Sequence, residues 1–271
     1  MKKTLVSVFV LALLSPVFAG SEVIGSGVVV TQTRQLPEFD EIEFGIPGDV
    51  HVTIGKPTPL QIEGEDNILP LIKTEVRDGR LVISADASFK TKHNTDFRVT
   101  VANLKAAEIR GSGEMHVGEL NNESLGLVIK GSGEVHLDGK TERLAVRIDG
   151  SGDMLGSSLK ASNASVSING SGDAKVGVTG SVDVSIRGSG DVHLEGKADR
   201  LAVSVDGSGD MLGSSLKARE ASVTIKGSGD VRVSVTDSLD VVIHGSGDVV
   251  YSGNPKLSKT IHGSGDVKRS G

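Results

Sequence analysis

The stretch GSGDVHLEGKADRLAVSVD, residues 188–206, contains the pattern that decides the fold. Apolar side chains alternate with polar ones around Val192 and Leu194, and again over residues 201–205. Successive side chains of a β-strand point to opposite faces, so this alternation predicts two short strands, each with one buried face. The Gly-Ser-Gly at the start predicts a sharp corner, because glycine adopts positive φ at little cost.

The same corner recurs along the chain as Gly-Ser-Gly-Asp/Glu, nine times at spacings of 18 to 20 residues. The first glycines are Gly111, Gly131, Gly150, Gly170, Gly188, Gly207, Gly227, Gly245 and Gly263. Helical repeats need about 33 to 47 residues, whereas stacked coils of short strands need fewer. Crossovers between parallel strands are nearly always right-handed. We therefore predict an all-β right-handed parallel β-helix (solenoid) with about 19 residues per coil. A mixed β-sandwich is the alternative.

Part of this array is an internal duplication. Residues 131–187 and 188–244 align without a gap and are identical at 40 of 57 positions, including two copies of DGSGDMLGSSLKA. A catalytic site holds several side chains to within about 0.5 Å of a productive geometry and gains nothing from being copied. A binding or spacing surface gains length or multivalency. The duplication therefore predicts a protein that is not an enzyme.

Composition excludes further classes of function. The net charge of −6 leaves no basic surface of the kind that binds nucleic acid. The chain has no cysteine and hence no disulfide framework. From Gly111 onward Tyr251 is the only aromatic residue, so a polysaccharide-active β-helix enzyme would lack platforms for sugar rings. That enzyme is the least favoured of the functions considered.

The N-terminus predicts export. Residues 1–19, MKKTLVSVFVLALLSPVFA, combine two lysines, an apolar run and a small-residue ending, the pattern of a signal peptide cleaved after Ala19. An N-terminal membrane anchor is the alternative, which the apolar run disfavours because it is shorter than the roughly 20 residues that span a bilayer. Residues 20–37 form a lead-in to the folded part. We expect an exported protein without a transmembrane segment after cleavage, located in the periplasm, on the outer-membrane surface or in the medium.

The acidic residues that close the nine tetrapeptides are predicted to form a ladder along the stacked corners. They are Glu114, Glu134, Asp153, Asp173, Asp191, Asp210, Asp230, Asp248 and Asp266. We expect each carboxylate to accept backbone N–H groups of its own turn. A row of weak Ca²⁺ sites is the alternative, since carboxylates are suitable hard ligands.

Histidines also fall on successive coils, as the pairs His116 with His136 and His244 with His262. Two imidazoles without a third ligand are poor evidence for a zinc site. The sequence therefore predicts solvent-facing histidines and assigns no catalytic, cofactor-binding or metal residue, and no cofactor.

The segment before the repeats carries a family resemblance. Its features are FDEI at 39–42, GDVHV at 48–52, EDNIL at 65–69 and DGRL at 78–81, followed by the first Gly-Ser-Gly. Together they closely resemble the bacterial family called putative auto-transporter adhesin, head GIN domain. The resemblance implies an exported, β-helix-like domain of the bacterial envelope or surface.

On this resemblance, residues 38–110 are the N-terminal part of the head GIN domain and residues 111–271 are its nine-coil repeat solenoid. The implied function is that of an adhesin-like binding module that presents a repetitive surface to an unidentified protein or glycan at the cell envelope. A structural or spacer protein of the periplasm or envelope, without a specific ligand, is the alternative.

Overall fold

The computed structural model describes residues 22–270, so the predicted signal peptide lies outside the described residues. Ten short strands come first: β1 Val23–Ile24, β2 Val29–Arg34, β3 Glu41–Phe44, β4 Asp49–Ile54, β5 Thr58–Glu65, β6 Ile72–Arg77, β7 Arg80–Ala85, β8 Phe89–Lys90, β9 Asp96–Val101 and β10 Ala106–Gly111. A single 3₁₀ turn, Leu69–Leu71, precedes β6.

The second part of the chain consists of long strands that bend around whole coils. They are β11 Glu114–Gly131, β12 Glu134–Gly150, β13 Asp153–Gly170, β14 Ala174–Gly188, β15 Val192–Gly207, β16 Met211–Gly227 and β17 Val231–Gly245, followed by the shorter β18 Val249–Gly253, β19 Lys256–Gly263 and β20 Val267–Arg269. The residues described include no helix long and apolar enough to cross a bilayer.

Parallel pairing between successive coils confirms the predicted solenoid of about nine turns with about 19 residues each. The first glycines of all nine tetrapeptides are paired in register, from Gly111 with Gly131 to Gly245 with Gly263. All nine corners therefore lie along one edge. The coils begin before the first tetrapeptide, because β3 pairs with β10 and β4 pairs with β11, both in parallel.

Antiparallel strands close the N-terminal end, which the repeat pattern did not predict. Strand β7 lies parallel to β3 and antiparallel to β6, while β9 lies parallel to β4 and antiparallel to β5. Strand β2 then pairs antiparallel with β5. The guanidinium of Arg34 in β2 donates to the carbonyl oxygens of Leu69 and Ile72, at 3.0 and 2.8 Å, which fastens the 3₁₀ turn to this end.

The core consists of aliphatic columns, as the alternation predicts. One column runs through Ile129, Ile148, Ile168, Ile186, Val205, Ile225 and Ile243, each 0% exposed. Because every member stacks on its equivalent in the next coil, branched side chains of similar shape fill the interior. The N-terminal coils differ, since Phe44 and Phe97 pack edge to face there, with ring centroids 5.3 Å apart.

Only glycine fits the first and third positions of the corner. Gly188 has φ +130°, and a Cβ there would lie 2.1 Å from the carbonyl oxygen of Gly170 in the coil before. Gly190 would place a Cβ 2.1 Å from the carbonyl oxygen of Gly172. Backbone of adjacent coils thus meets at the corner without intervening side chains, which fixes the register of the stack.

Candidate binding surface

The acidic ladder exists, but its hydrogen bonds run between coils and the prediction of bonds within each turn was wrong. The backbone N–H of Asp191 donates to Asp173 Oδ1 at 2.8 Å, and five further pairs from Asp173 to Asp266 repeat this bond at 2.7 to 2.9 Å. Each of the six aspartates from Asp153 to Asp248 therefore satisfies a donor on the next corner, because the corners stack closely enough for an aspartate to span them. The ladder clamps neighbouring coils together.

The last aspartate of the ladder, Asp266, makes a different hydrogen bond. Asp266 Oδ1 accepts the N–H of Val267 in its own turn at 2.7 Å. This hydrogen bond, assisted by one from Lys268, lowers the pKa of Asp266. The predicted bond within a turn is therefore found at this end of the ladder.

The two glutamates behave differently from the aspartates. The N–H of Glu134 donates to the carbonyl oxygen of Gly113 at 3.2 Å, and the N–H of Asp153 donates to that of Gly133 at 3.1 Å. The carboxylates of Glu114 and Glu134 are thus released from the clamp. Both turn instead towards imidazoles two residues along the strand.

The predicted histidine pairs are confirmed, and the structure extends the first pair in a way that the sequence pattern did not show. His51 stacks on His116, and His116 on His136, with ring centroids 4.9 and 4.6 Å apart. Glu114 Oε1 lies 2.9 Å from His116 Nε2 and 3.2 Å from His136 Nε2, and Glu134 Oε1 lies 2.7 Å from His136 Nε2. We call Glu114, His116, Glu134 and His136 the histidine–glutamate cluster.

Negative charge accumulates at this end of the surface. Asp49 is paired in register with Glu114 and with Asp96. Burial raises the pKa of Asp49, and the nearby carboxylates of Glu114 and Asp96 raise it further. A cation would relieve this repulsion.

A column of outward-facing residues shows the internal duplication on the protein surface. The residues that follow His136 in register are Leu155, Lys175, His193, Leu212 and Arg232. The order His-Leu-Lys/Arg thus appears twice, three coils apart, or about 14 Å. We call these six residues the repeat column. Leu155 is 38% exposed, and Leu212 at the equivalent position is partly exposed.

Each leucine of the repeat column leads into a protrusion. Pairing of β13 with β14 jumps from Gly156 to Lys160, and pairing of β16 with β17 jumps from Gly213 to Lys217. We call residues 156–159 and 213–216 the bulges. Their final leucines, Leu159 and Leu216, are buried, so each bulge is anchored in the core. Both bulges have the sequence GSSL, which occurs once in each copy of the duplication.

A shallow groove of about 520 Å³ adjoins the first bulge. Leu159, Gly177 and Val178 form the floor of the groove, which is mainly apolar. Lys160 and Lys197 line its sides. The groove forms because the coil that begins at Gly170 has 18 residues and follows a coil of 20. The outward-facing residues on these coils form a mixed polar surface, and the exposed ones include Lys140, Arg147, Lys160, Lys197, Ser204 and Lys217.

The sequence profile of the family described as "Putative auto-transporter adhesin, head GIN domain" matches residues 38–196 and 188–255. The chain belongs to this family. The two matches to the head GIN domain overlap at the start of the second copy, in agreement with the duplication. No curated protein matches the chain.

Solved structures share the head GIN fold. A protein from Parabacteroides distasonis ATCC 8503, described as a putative lipid binding protein, is 26% identical, with a TM-score of 0.72 over 92% of this chain and 100% of that one. A putative adhesin from the same organism is 22% identical with a TM-score of 0.75 over 92% and 100%. Another, from Parabacteroides merdae ATCC 43184, is 21% identical with a TM-score of 0.73 over 92% and 99%. The last two likenesses concern the fold alone.

Proposed function

We propose that this chain is an exported, non-catalytic binding module of the bacterial envelope that holds a protein or glycan partner on the face carrying the repeat column and the bulges. The observation that carries the proposal is the repetition of that surface, with Leu155 exposed and Leu212 partly exposed at equivalent positions three coils apart. Adhesin-like family members and the predicted signal peptide support an extracytoplasmic site of action.

The exposed leucine distinguishes binding from a spacer role. Apolar area on a surface contributes about 25 cal/mol per Å² when a partner covers it, so an apolar side chain that recurs at the equivalent position of both copies favours contact with a partner. The strand segments on another side of the same coils present small polar residues outward, such as Ser165, Ser204 and Ser222. A spacer would present that kind of surface on every side.

A retention assay tests this proposal. Beads coated with residues 20–271 are passed over immobilised bacterial envelopes, beside beads coated with the double variant Leu155→Glu/Leu212→Glu. We expect at least a tenfold loss of retained beads for the variant, because two apolar contacts are replaced by charges that must be desolvated.

The control is Ser165→Glu/Ser222→Glu, which adds the same two charges at equivalent, exposed positions of the two copies. We expect it to be retained like the unchanged chain. Equal retention of all three proteins, or no retention above bare beads, would favour the spacer alternative.

A further inference from the structure

The histidine–glutamate cluster has the donor set of a transition-metal site. One oxygen of Glu114 and the imidazole nitrogens of His116 and His136 all lie within 4.8 Å of one another. Two imidazoles and a carboxylate are typical ligands of Zn²⁺. Ca²⁺ and Mg²⁺ prefer oxygen ligands alone.

Two of the three spacings between these atoms are close to that of a tetrahedral shell. Zinc bonds of about 2.05 Å place neighbouring ligand atoms about 3.3 Å apart. The distances from Glu114 Oε1 to His116 Nε2 and His136 Nε2 are 2.9 and 3.2 Å. Small rotations of the side chains would bring the three atoms around one ion. Glu134 lies 2.7 Å from His136 Nε2 but outside this group of three, so its side chain would have to turn further to supply a fourth ligand.

The fold keeps these ligands available. The two glutamates do not take part in the clamp between coils that occupies the aspartates. All four side chains face outward and are partly accessible, with exposures of 37% for Glu114, 36% for His116, 42% for Glu134 and 33% for His136. Stacked coils hold them on rigid strands, so little ordering is needed when an ion binds.

The second histidine pair shows that stacking alone does not build this arrangement. His244 and His262 stack with ring centroids 4.9 Å apart. Among the described residues, no carboxylate lies within 4 Å of either imidazole. Lys226 is the residue paired with His244 in the preceding coil. The same chain thus contains an internal control of equal ring geometry.

We propose that Glu114, His116, Glu134 and His136 bind one divalent transition-metal ion, with Zn²⁺ as the best match. The ion crosslinks the two coils that begin at Gly111 and Gly131. It also offsets two of the three negative charges of the row of carboxylates formed by Asp49, Glu114 and Glu134. This site adjoins the proposed binding surface, because His136 also belongs to the repeat column and is paired in register with Leu155. It does not use the apolar contacts at Leu155 and Leu212.

Calorimetry with tag-free residues 20–271, stripped with chelator and titrated with ZnCl₂, tests the site. We expect one equivalent to bind with a Kd in the micromolar range or below. His116→Ser/His136→Ser should weaken binding at least about 100-fold, and Glu114→Gln, which keeps the side-chain size, at least about tenfold. The matched control, His244→Ser/His262→Ser, should bind like the unchanged chain.

Two further readouts separate ligation from a structural effect. Zn²⁺ should raise the melting temperature of the unchanged chain and of the control, and leave that of His116→Ser/His136→Ser unaltered, because only a ligand of the native state stabilises it. Co²⁺ should give the visible absorption of a tetrahedral complex, lost in the same variant. The proposal is overturned if the unchanged chain binds Zn²⁺ only at millimolar concentration. It is equally overturned if His116→Ser/His136→Ser binds as tightly as the control.

Discussion

We expect Gly188→Ala to destabilise the solenoid by about 3 kcal/mol or more. The new Cβ would stand 2.1 Å from the carbonyl oxygen of Gly170, and the residue would have to keep φ near +130°. Backbone conformations of this kind cost non-glycine residues about 1–3 kcal/mol, and separating two stacked corners adds to that. At about 2–4 °C per kcal/mol for a chain of this size, the melting temperature should fall by about 10 °C.

Gly118→Ala is the matched control for this prediction. Gly118 also lies in the solenoid, yet no heavy atom stands within 4 Å of the position of its Cβ, and its φ lies outside the left-handed region. The same chemical change should therefore leave the thermal transition within about 0.5 kcal/mol of the unchanged chain. Equal melting temperatures for the two variants would show that the corners do not determine the stacking.

The aspartate clamp should make the largest contribution among the polar interactions. Changing Asp191, Asp210 and Asp230 together to Ala removes the acceptors of three backbone N–H groups, those of Asp210, Asp230 and Asp248. A hydrogen bond to a charged group contributes about 1.5–3 kcal/mol. Three such bonds amount to about 4.5–9 kcal/mol, so the triple Ala variant should lose about 4.5 kcal/mol or more, measured by chemical denaturation.

The corresponding triple Asn variant separates hydrogen bonding from charge. Asparagine keeps an oxygen in the Oδ1 position and removes repulsion between carboxylates about 4.8 Å apart, which amounts to about 0.9 kcal/mol per pair in bulk water. It should be far more stable than the Ala variant, and NaCl should help it less than it helps the unchanged chain. If the Asn and Ala variants unfold at the same denaturant concentration, the clamp contributes nothing as a hydrogen bond.

Much of the fold was predictable from the sequence because the repeats indicate both the buried faces of the strands and the positions of the corners. Alternation at positions such as Val203 and Val205 marks the buried face, and the spacing of the tetrapeptides marks the corners. The antiparallel closure by β2, β5 and β6 was not predictable, since it depends on pairing between segments that occur once each. A unique segment offers no internal comparison from which its neighbour can be inferred.

The candidate sites were predictable only in part. The period places His116 beside His136, yet it does not show that Glu114 points towards both imidazoles. That contact follows from the length of the glutamate side chain, which exceeds that of aspartate by one methylene and turns away from the corner. Similarly, the repeated GSSL shows that the segment is duplicated. It does not show that the segment protrudes, because the jump in register that produces each bulge depends on the neighbouring coil of 18 residues.

The central claim is that the duplication provides two copies of one binding surface. Deleting residues 188–244 removes three coils and joins Arg187 to Gly245. The corner that begins at Gly245 then takes the place of the equivalent corner that begins at Gly188. Each coil contacts only its neighbours, and the shortened chain should therefore fold cooperatively, as checked by its thermal transition. It retains Leu155 and one bulge and loses Leu212 and the other.

The most direct measurement is the rate at which each protein dissociates from immobilised bacterial envelopes. Two linked contacts exceed the affinity of one by about 10²–10⁴-fold when both can engage. We predict that the shortened chain still binds but dissociates at least 100-fold faster, and that Leu212→Glu in the full chain approaches the same rate. Identical dissociation of the folded shortened chain and the full chain would contradict the claim.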